Sequence, residues 1–211
     1  MIWIGVWMAA TAASATTFDY DAFVGEAKIG EAQITVERHD DRYEITGEAR
    51  AVGVMDFLTQ WHSLFSAAGT VDGGQPVVQE FSLIERARNK IKEIFMADGK
   101  VTYTKNGQLR APRDPGTGLD LLSALFVSQD CGINAVHNGK DSYRLHLRKR
   151  TELPAELIAD RKATVQCSFD VTDEDDEEIR AEVWLGPIGE LFVPLRLDIQ
   201  GALQGSVRVS G

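Results

Sequence analysis

Four histidines, two cysteines and one dense acidic run are the side chains from which a chemical function would first be built. The histidines are His39, His62, His137 and His146. A hydrolytic triad needs a nucleophile, a base and a carboxylate that orients the base. His39 falls in a turn-forming stretch and His146 on the polar side of an alternating run, and no G-x-S-x-G elbow occurs. Carboxylates are abundant, yet nothing singles out a pair for glycosidic chemistry. The residues nominate no catalytic group, and the chain reads as a non-enzyme. Cys131 and Cys167 lack the C-x-x-C spacing of a zinc site. The run Asp173-Glu174-Asp175-Asp176-Glu177-Glu178 offers oxygen ligands but lacks the turn glycine of an EF-hand loop. It reads as a solvated loop, and neither a metal nor a cofactor is expected.

Arg86, Arg88, Lys90 and Lys92 recur at every second position. In an extended strand all four would point one way. Such a stripe would meet an anionic head group or an acidic partner, or would guard a sheet edge. A turn near Asn89 would break it. The net charge is −10 and the pI about 4.9. That balance excludes nucleic acid as a partner held through phosphates and excludes a broad basic membrane face.

Phe57, Leu58, Trp61, Phe65, Leu122, Leu125 and Phe126 form an aromatic and aliphatic set on two helix-like stretches. They fit the lining of a cavity for an apolar ligand, with Phe57, Trp61 and Phe126 as its aromatic contacts. A plain hydrophobic core is the alternative.

The elements that would carry these residues are mostly strands. Tyr43–Arg50 alternates apolar or small with polar residues, and so do the runs around Tyr143, Val165–Val171 and Leu195–Ile199. Turn signals separate the runs at His39-Asp40-Asp41-Arg42, Asp72-Gly73-Gly74-Gln75, Asp98-Gly99 and Asn138-Gly139. Hairpins in sequence predict an antiparallel meander rather than βαβ units. Val54–Trp61 and Leu119–Val127 break the alternation with helical spacing, the second starting near Thr117 or Gly118. The Pro112–Pro115 region reads as an irregular connection. With 211 residues and no linker, one domain is expected over 16–211.

The opening MIWIGVWMAATAASA is uncharged, apolar from Ile2 to Met8, and closes on Ala13-Ser14-Ala15. It reads as a secretory signal cut after Ala15, too short to span a bilayer. No other apolar run approaches membrane length, so the mature chain is expected to have no transmembrane segment. An even cysteine count in an exported chain predicts a Cys131–Cys167 disulfide, with two separate core thiols as the alternative. The bond would pin the end of the second helix to the sheet.

The stretch Val24–Ala32, the Tyr43–Arg50 run and Ala51–Asp56 resemble the opening of the bacterial domain of unknown function family 3108. Asp114, Asp120–Leu125, Asn138-Gly139-Lys140, Val183–Leu185 and Val193–Leu197 fit the same pattern. The resemblance implies a periplasmic protein built as a lipoprotein-carrier-like half-barrel around helices, and it implies no activity. The expectation is therefore a mainly β fold. It is a single antiparallel, strongly curved sheet forming a partly open barrel or β-spiral, with one or two short helices packed on it. The expected function is a periplasmic binding protein holding an apolar or lipid-like ligand. The alternative is a structural or interaction module for an envelope protein.

Overall fold

The computed structural model describes residues 14–110, 118–128, 131–189, 191–201 and 204–210. Residues 1–13, which hold most of the proposed signal, and the Pro112–Pro115 connection lie outside the described residues.

Among the described residues fifteen strands form one sheet. The first group is β1 (Ser14–Val24), β2 (Ala27–His39), β3 (Arg42–Ala51), β4 (Trp61–Asp72), β5 (Gln75–Ala87), β6 (Lys90–Ala97), β7 (Lys100–Lys105) and β8 (Gln108–Leu109). The second is β9 (Leu119–Asp120), β10 (Ala135–His137), β11 (Ser142–Ile158), β12 (Arg161–Thr172), β13 (Glu178–Ile188), β14 (Leu191–Gln200) and β15 (Gly205–Val209). Each group runs as a meander, and β1 pairs β15 to join the two. Among the described residues the pairings are antiparallel except the short parallel bridge between β9 and β10. Among the described residues the sheet ends at β8 and β9, and no hydrogen-bonded pairing joins these two strands.

Local chemistry sets the hairpins. The turns Gly73-Gly74, Asp98-Gly99 and Asn106-Gly107 have positive φ at both central residues, the type I′ geometry that matches strand twist. Alternation sets the faces: Tyr43 and Ile45 are buried, while Glu44, Thr46 and Glu48 are exposed. On β12, Ala163, Val165, Cys167, Phe169 and Val171 are all buried.

The far ends of the sheet meet through side chains. The Phe81 ring of β5 stands edge-on to His137 of β10, with centroids 6.1 Å apart. Gly139 has φ +81°, and a Cβ there would lie 2.6 Å from Ile94 Cγ2 and 2.9 Å from the Phe81 ring. Only glycine lets the chain pass so close to β5 and β6.

Among the described residues two helices interrupt the strands, α1 (Gly53–Thr59) and α2 (Leu121–Phe126). The first ends earlier than its spacing suggests, because Gln60 turns to φ 49° and Trp61 already opens β4. The second begins after Asp120, which caps it in place of Thr117 or Gly118. α2 lies inside the curved sheet. Phe126 packs on Phe18 and Tyr20 of β1, at 6.2 and 6.1 Å between centroids. Leu122 and Leu125 reach into the neighbouring core clusters on either side.

The basic stripe does not form. Arg88 takes φ 46° in the β5–β6 turn, and Lys92 pairs across the hairpin with Glu85 at 2.8 Å. Arg86 therefore faces away from Lys92. Cys131 and Cys167 form a disulfide with Cα atoms 5.7 Å apart, as the even count suggested.

Candidate apolar ligand site

An apolar cavity of about 310 Å³ lies between α2 and the inner face of β10–β14. Its volume stands at the low end of small-molecule sites, roughly 300–1,000 Å³. Its floor is the inward set of three adjacent strands. Phe169 of β12 sits opposite Ala181 of β13, which sits opposite Ile199 of β14. In the next row Cys167 meets Val183, and Val183 meets Leu197. Tyr143 and Leu145 of β11 form one side, and Leu121, Ala124 and Leu125 of α2 form the roof. Leu121 and Ile199 are exposed, which marks an open mouth.

Among the described residues, Ser128, Asn138 and Tyr143 bring polar side chains to this lining. The Asn138 Nδ2 lies 3.5 Å from the Tyr143 hydroxyl, while its Oδ1 accepts from the Lys140 and Asp141 amides at 2.9 and 2.7 Å. The amide orientation is thus fixed by the turn. Burial first, then the Asp141, Asp173 and Glu174 carboxylates, raise the Tyr143 phenol above its ordinary pKa. A neutral hydroxyl beside apolar walls suits the polar end of an amphiphile.

The roof helix is held by a buried polar network. Asp120 Oδ1 accepts from the Leu122 and Ser123 amides at 3.0 Å each, capping α2. The Ser123 hydroxyl lies 2.8 Å from the Tyr43 hydroxyl of β3. Burial pushes the Tyr43 phenol up to about 12. Asp120 Oδ2 is buried and has no hydrogen-bond partner among the described residues. Burial, opposed by hydrogen bonds from Ser123 and the charge of His137, raises the Asp120 carboxyl. His137, the pairing partner of Asp120 across β9–β10, is lowered by burial and lifted in part by Asp120. Its Nδ1 accepts from the Gly139 amide at 3.2 Å. The residue types of a hydrolytic triad meet here, but none of the three lines the cavity. The geometry is that of a helix anchor.

The aromatic residues singled out from the sequence are not brought together. Phe57 is 79% exposed on α1, Trp61 is half-buried at the start of β4, and Phe126 is buried against β1. None of them lines the cavity. The lining residues instead come from the inward positions of β11–β14, whose alternation marked them as one face without marking a void beside it.

The acidic run closes on itself. Asp173 Oδ1 accepts from the Asp175 and Glu177 amides at 2.9 Å each, and Asp176 pairs with Arg144 at 2.8 Å. Among the described residues no three His, Cys, Asp or Glu side chains group as metal ligands. A wider cleft beside His146, Asp170 and Arg180 is polar, and Asp170 there pairs with Arg148 at 3.5 Å and Arg180 at 3.9 Å. Among the described residues no helix is long and apolar enough to cross a membrane.

No family model matches the chain, and no curated protein matches it. The solved structures that resemble it include one described as a beta-barrel-like protein of domain of unknown function DUF1849 from Brucella abortus. The two share 10% sequence identity over 95% of this chain and 97% of that one, with a TM-score of 0.46.

Proposed function

We propose that this protein is a non-enzymatic, exported binding protein that holds an apolar or lipid-like ligand between α2 and β10–β14. The observation that carries the reading is the cavity itself. It is about 310 Å³, walled almost wholly by apolar side chains, and open past Leu121 and Ile199. Packed cores rarely leave voids larger than a water molecule. A cavity of this size fits one acyl chain or one compact apolar molecule.

Export to the periplasm is part of the same reading. The apolar opening segment ending in Ala13-Ser14-Ala15 supports it, and so does the Cys131–Cys167 bond, which persists where thiols oxidise. Kinship with the domain of unknown function family 3108 rests on the order of elements read from the sequence. The experiment is native mass spectrometry of protein recovered from a host that exports it. A non-covalent apolar adduct is expected. Protein without adduct, which also takes up no apolar compound on incubation, would overturn the reading in favour of an interaction module.

A further inference from the structure

The apolar cavity between α2 and β10–β14 has a direction. Along β13 its lining runs from Ile179 through Ala181 and Val183 to Leu185. At about 3.3 Å per residue this floor is roughly 20 Å long, enough for an extended dodecyl chain. The deep end is walled by Cys131, Cys167 and Leu185, all buried. The other end carries the exposed Leu121 and the polar pair Asn138 and Tyr143. The strand register brings these together: Leu121 follows Asp120 and Asn138 follows His137, which are paired across β9–β10, and Tyr143 pairs with Val136 of β10.

The acidic run hangs at this same end. Val171 and Ile179, paired across β12–β13, both line the cavity, and the run is the hairpin loop that joins them. Glu174 Oε1 accepts from the Ser142 amide at 3.1 Å, which draws the loop against the residue before Tyr143. Tyr143 in turn borders both the cavity and the depression lined by Asp173, Glu174 and Asp176. The carboxylates of Asp141, Asp173 and Glu174 act on its hydroxyl. Two cations stand nearby, and each already has a carboxylate: Lys140 pairs with Asp141 and Arg144 with Asp176. Among the described residues Asp173 and Glu174 have no cationic partner. The loop alone would be a solvated surface feature. What gives it a ligand to act on is the apolar cavity that opens beside it.

We propose that the cavity selects single-chain amphiphiles with a cationic head group, the chain lying under α2 and the head held beside Tyr143 by the carboxylates of the β12–β13 loop. The proposal rests on the reading of the cavity as a ligand site and adds the class of ligand. A head group at the deep end would lose its water against apolar walls, so the chain enters first. The head then stops where Asn138 and Tyr143 supply hydrogen-bonding groups. An ammonium there meets Asp173 and Glu174 as opposite charges, whereas a sulfate or carboxylate meets them as like charges. Discrimination comes as much from this repulsion as from the attraction. The loop is exposed, so the preference is modest and is screened by salt.

The test uses the full chain recovered from an exporting host and loaded with phenylnaphthylamine, a neutral fluorescent apolar probe. Dodecylammonium, dodecyl maltoside and dodecyl sulfate, each below its micellar concentration, then compete for the cavity at neutral pH. Dodecylammonium is expected to displace the probe about tenfold more tightly than dodecyl sulfate at low salt, with the maltoside between them and the gap closing as salt is raised. Asp173→Asn with Glu174→Gln keeps the oxygens that accept from the backbone and removes two charges. It should weaken dodecylammonium about fivefold and leave the maltoside unchanged. The salt series on the unaltered chain needs no variant. Equal affinities for the three, or tightest binding of the sulfate, would overturn the charge selection and leave the apolar cavity standing. So would a variant that weakens all three alike. Failure of the probe and of all three amphiphiles to bind would overturn the ligand site itself, and this proposal with it.

Discussion

Cys131 and Cys167 are joined in the wall of the apolar cavity, tying the chain just beyond α2 to the centre of β12. The bond spans 36 residues and holds the cavity roof against its floor. In the chain-entropy account a loop of that length is worth about 4 kcal/mol. The double variant Cys131→Ala, Cys167→Ala is therefore expected to melt roughly 10 °C lower, at a few degrees per kcal/mol for a domain of this size. Its affinity for apolar compounds should fall as well. A thermal scan showing an unchanged midpoint would contradict the structural role given to the bond.

Phe126 and Phe57 were both candidates for one ligand site, yet their environments are opposite. Phe126→Ala empties a buried site beside Phe18 and Tyr20 and is expected to cost about 3–5 kcal/mol. Phe57→Ser alters an exposed side chain and should stay within about 0.5 kcal/mol. Urea unfolding of the two variants measures the contrast. Similar losses for both would contradict the placement of α1.

The raised Asp120 carboxyl carries a definite sign. Its folded pKa lies above the ordinary value of 3.8, so its contribution is fully present below that value and is lost as pH rises through the folded pKa. Asp120→Asn keeps an oxygen to cap Leu122 and Ser123 but cannot ionise. Above pH 3.8 the variant should gain stability relative to the unaltered protein, and the gap should widen with pH until Asp120 is ionised. Denaturant midpoints across pH 3 to 7 give the curve. A gap independent of pH would refute it.

His137 acts in the other direction. Its pKa lies below 6.5, so its contribution is present above that value and is lost as pH falls through the folded pKa. His137→Asn retains an acceptor for the Gly139 amide without the charge. The unaltered protein should lose stability on acidification below pH 6.5 relative to this variant. Parallel curves would show that burial of His137 has no energetic consequence.

Much of the fold was legible because a one-sided strand writes its faces into alternate residues. Tyr43 and Ile45, or Cys167 and Phe169, point inward as their spacing requires. The turns at Gly73-Gly74 and Asp98-Gly99 were legible for the same local reason. The β1–β15 pairing was not, since Tyr20 and Val209 are brought together by the curvature of the whole sheet. The stripe Val54, Phe57, Leu58 was legible as a stripe, but periodicity does not say what a stripe faces. The cavity escaped for a related reason. Alternation identifies the inward side of β11–β14 and is silent on whether α2 fills the space above it. Asp120 was hidden because its role depends on a helix that starts two residues later than Leu119.

The export reading predicts the mature end. Cleavage after Ala15 leaves β1 from Thr16 and removes only the pairs Ser14–Arg38 and Ala15–Glu37 from the sheet. N-terminal sequencing of exported protein should return Thr16 first. Recovery of the full chain in the cytosol would contradict export.

The central claim is that the space between α2 and β10–β14 takes an apolar ligand. Ala181 lies on the floor of that space, between Phe169 and Ile199. Titration of a fluorescent fatty-acyl probe into the unaltered protein and into Ala181→Trp tests it most directly. Trp at this position fills the cavity at a packing cost of about 1–3 kcal/mol. Saturable, displaceable binding to the unaltered protein, lost in a folded Ala181→Trp variant, is the predicted result. No saturable binding to the unaltered protein, or equal binding to both, would contradict it.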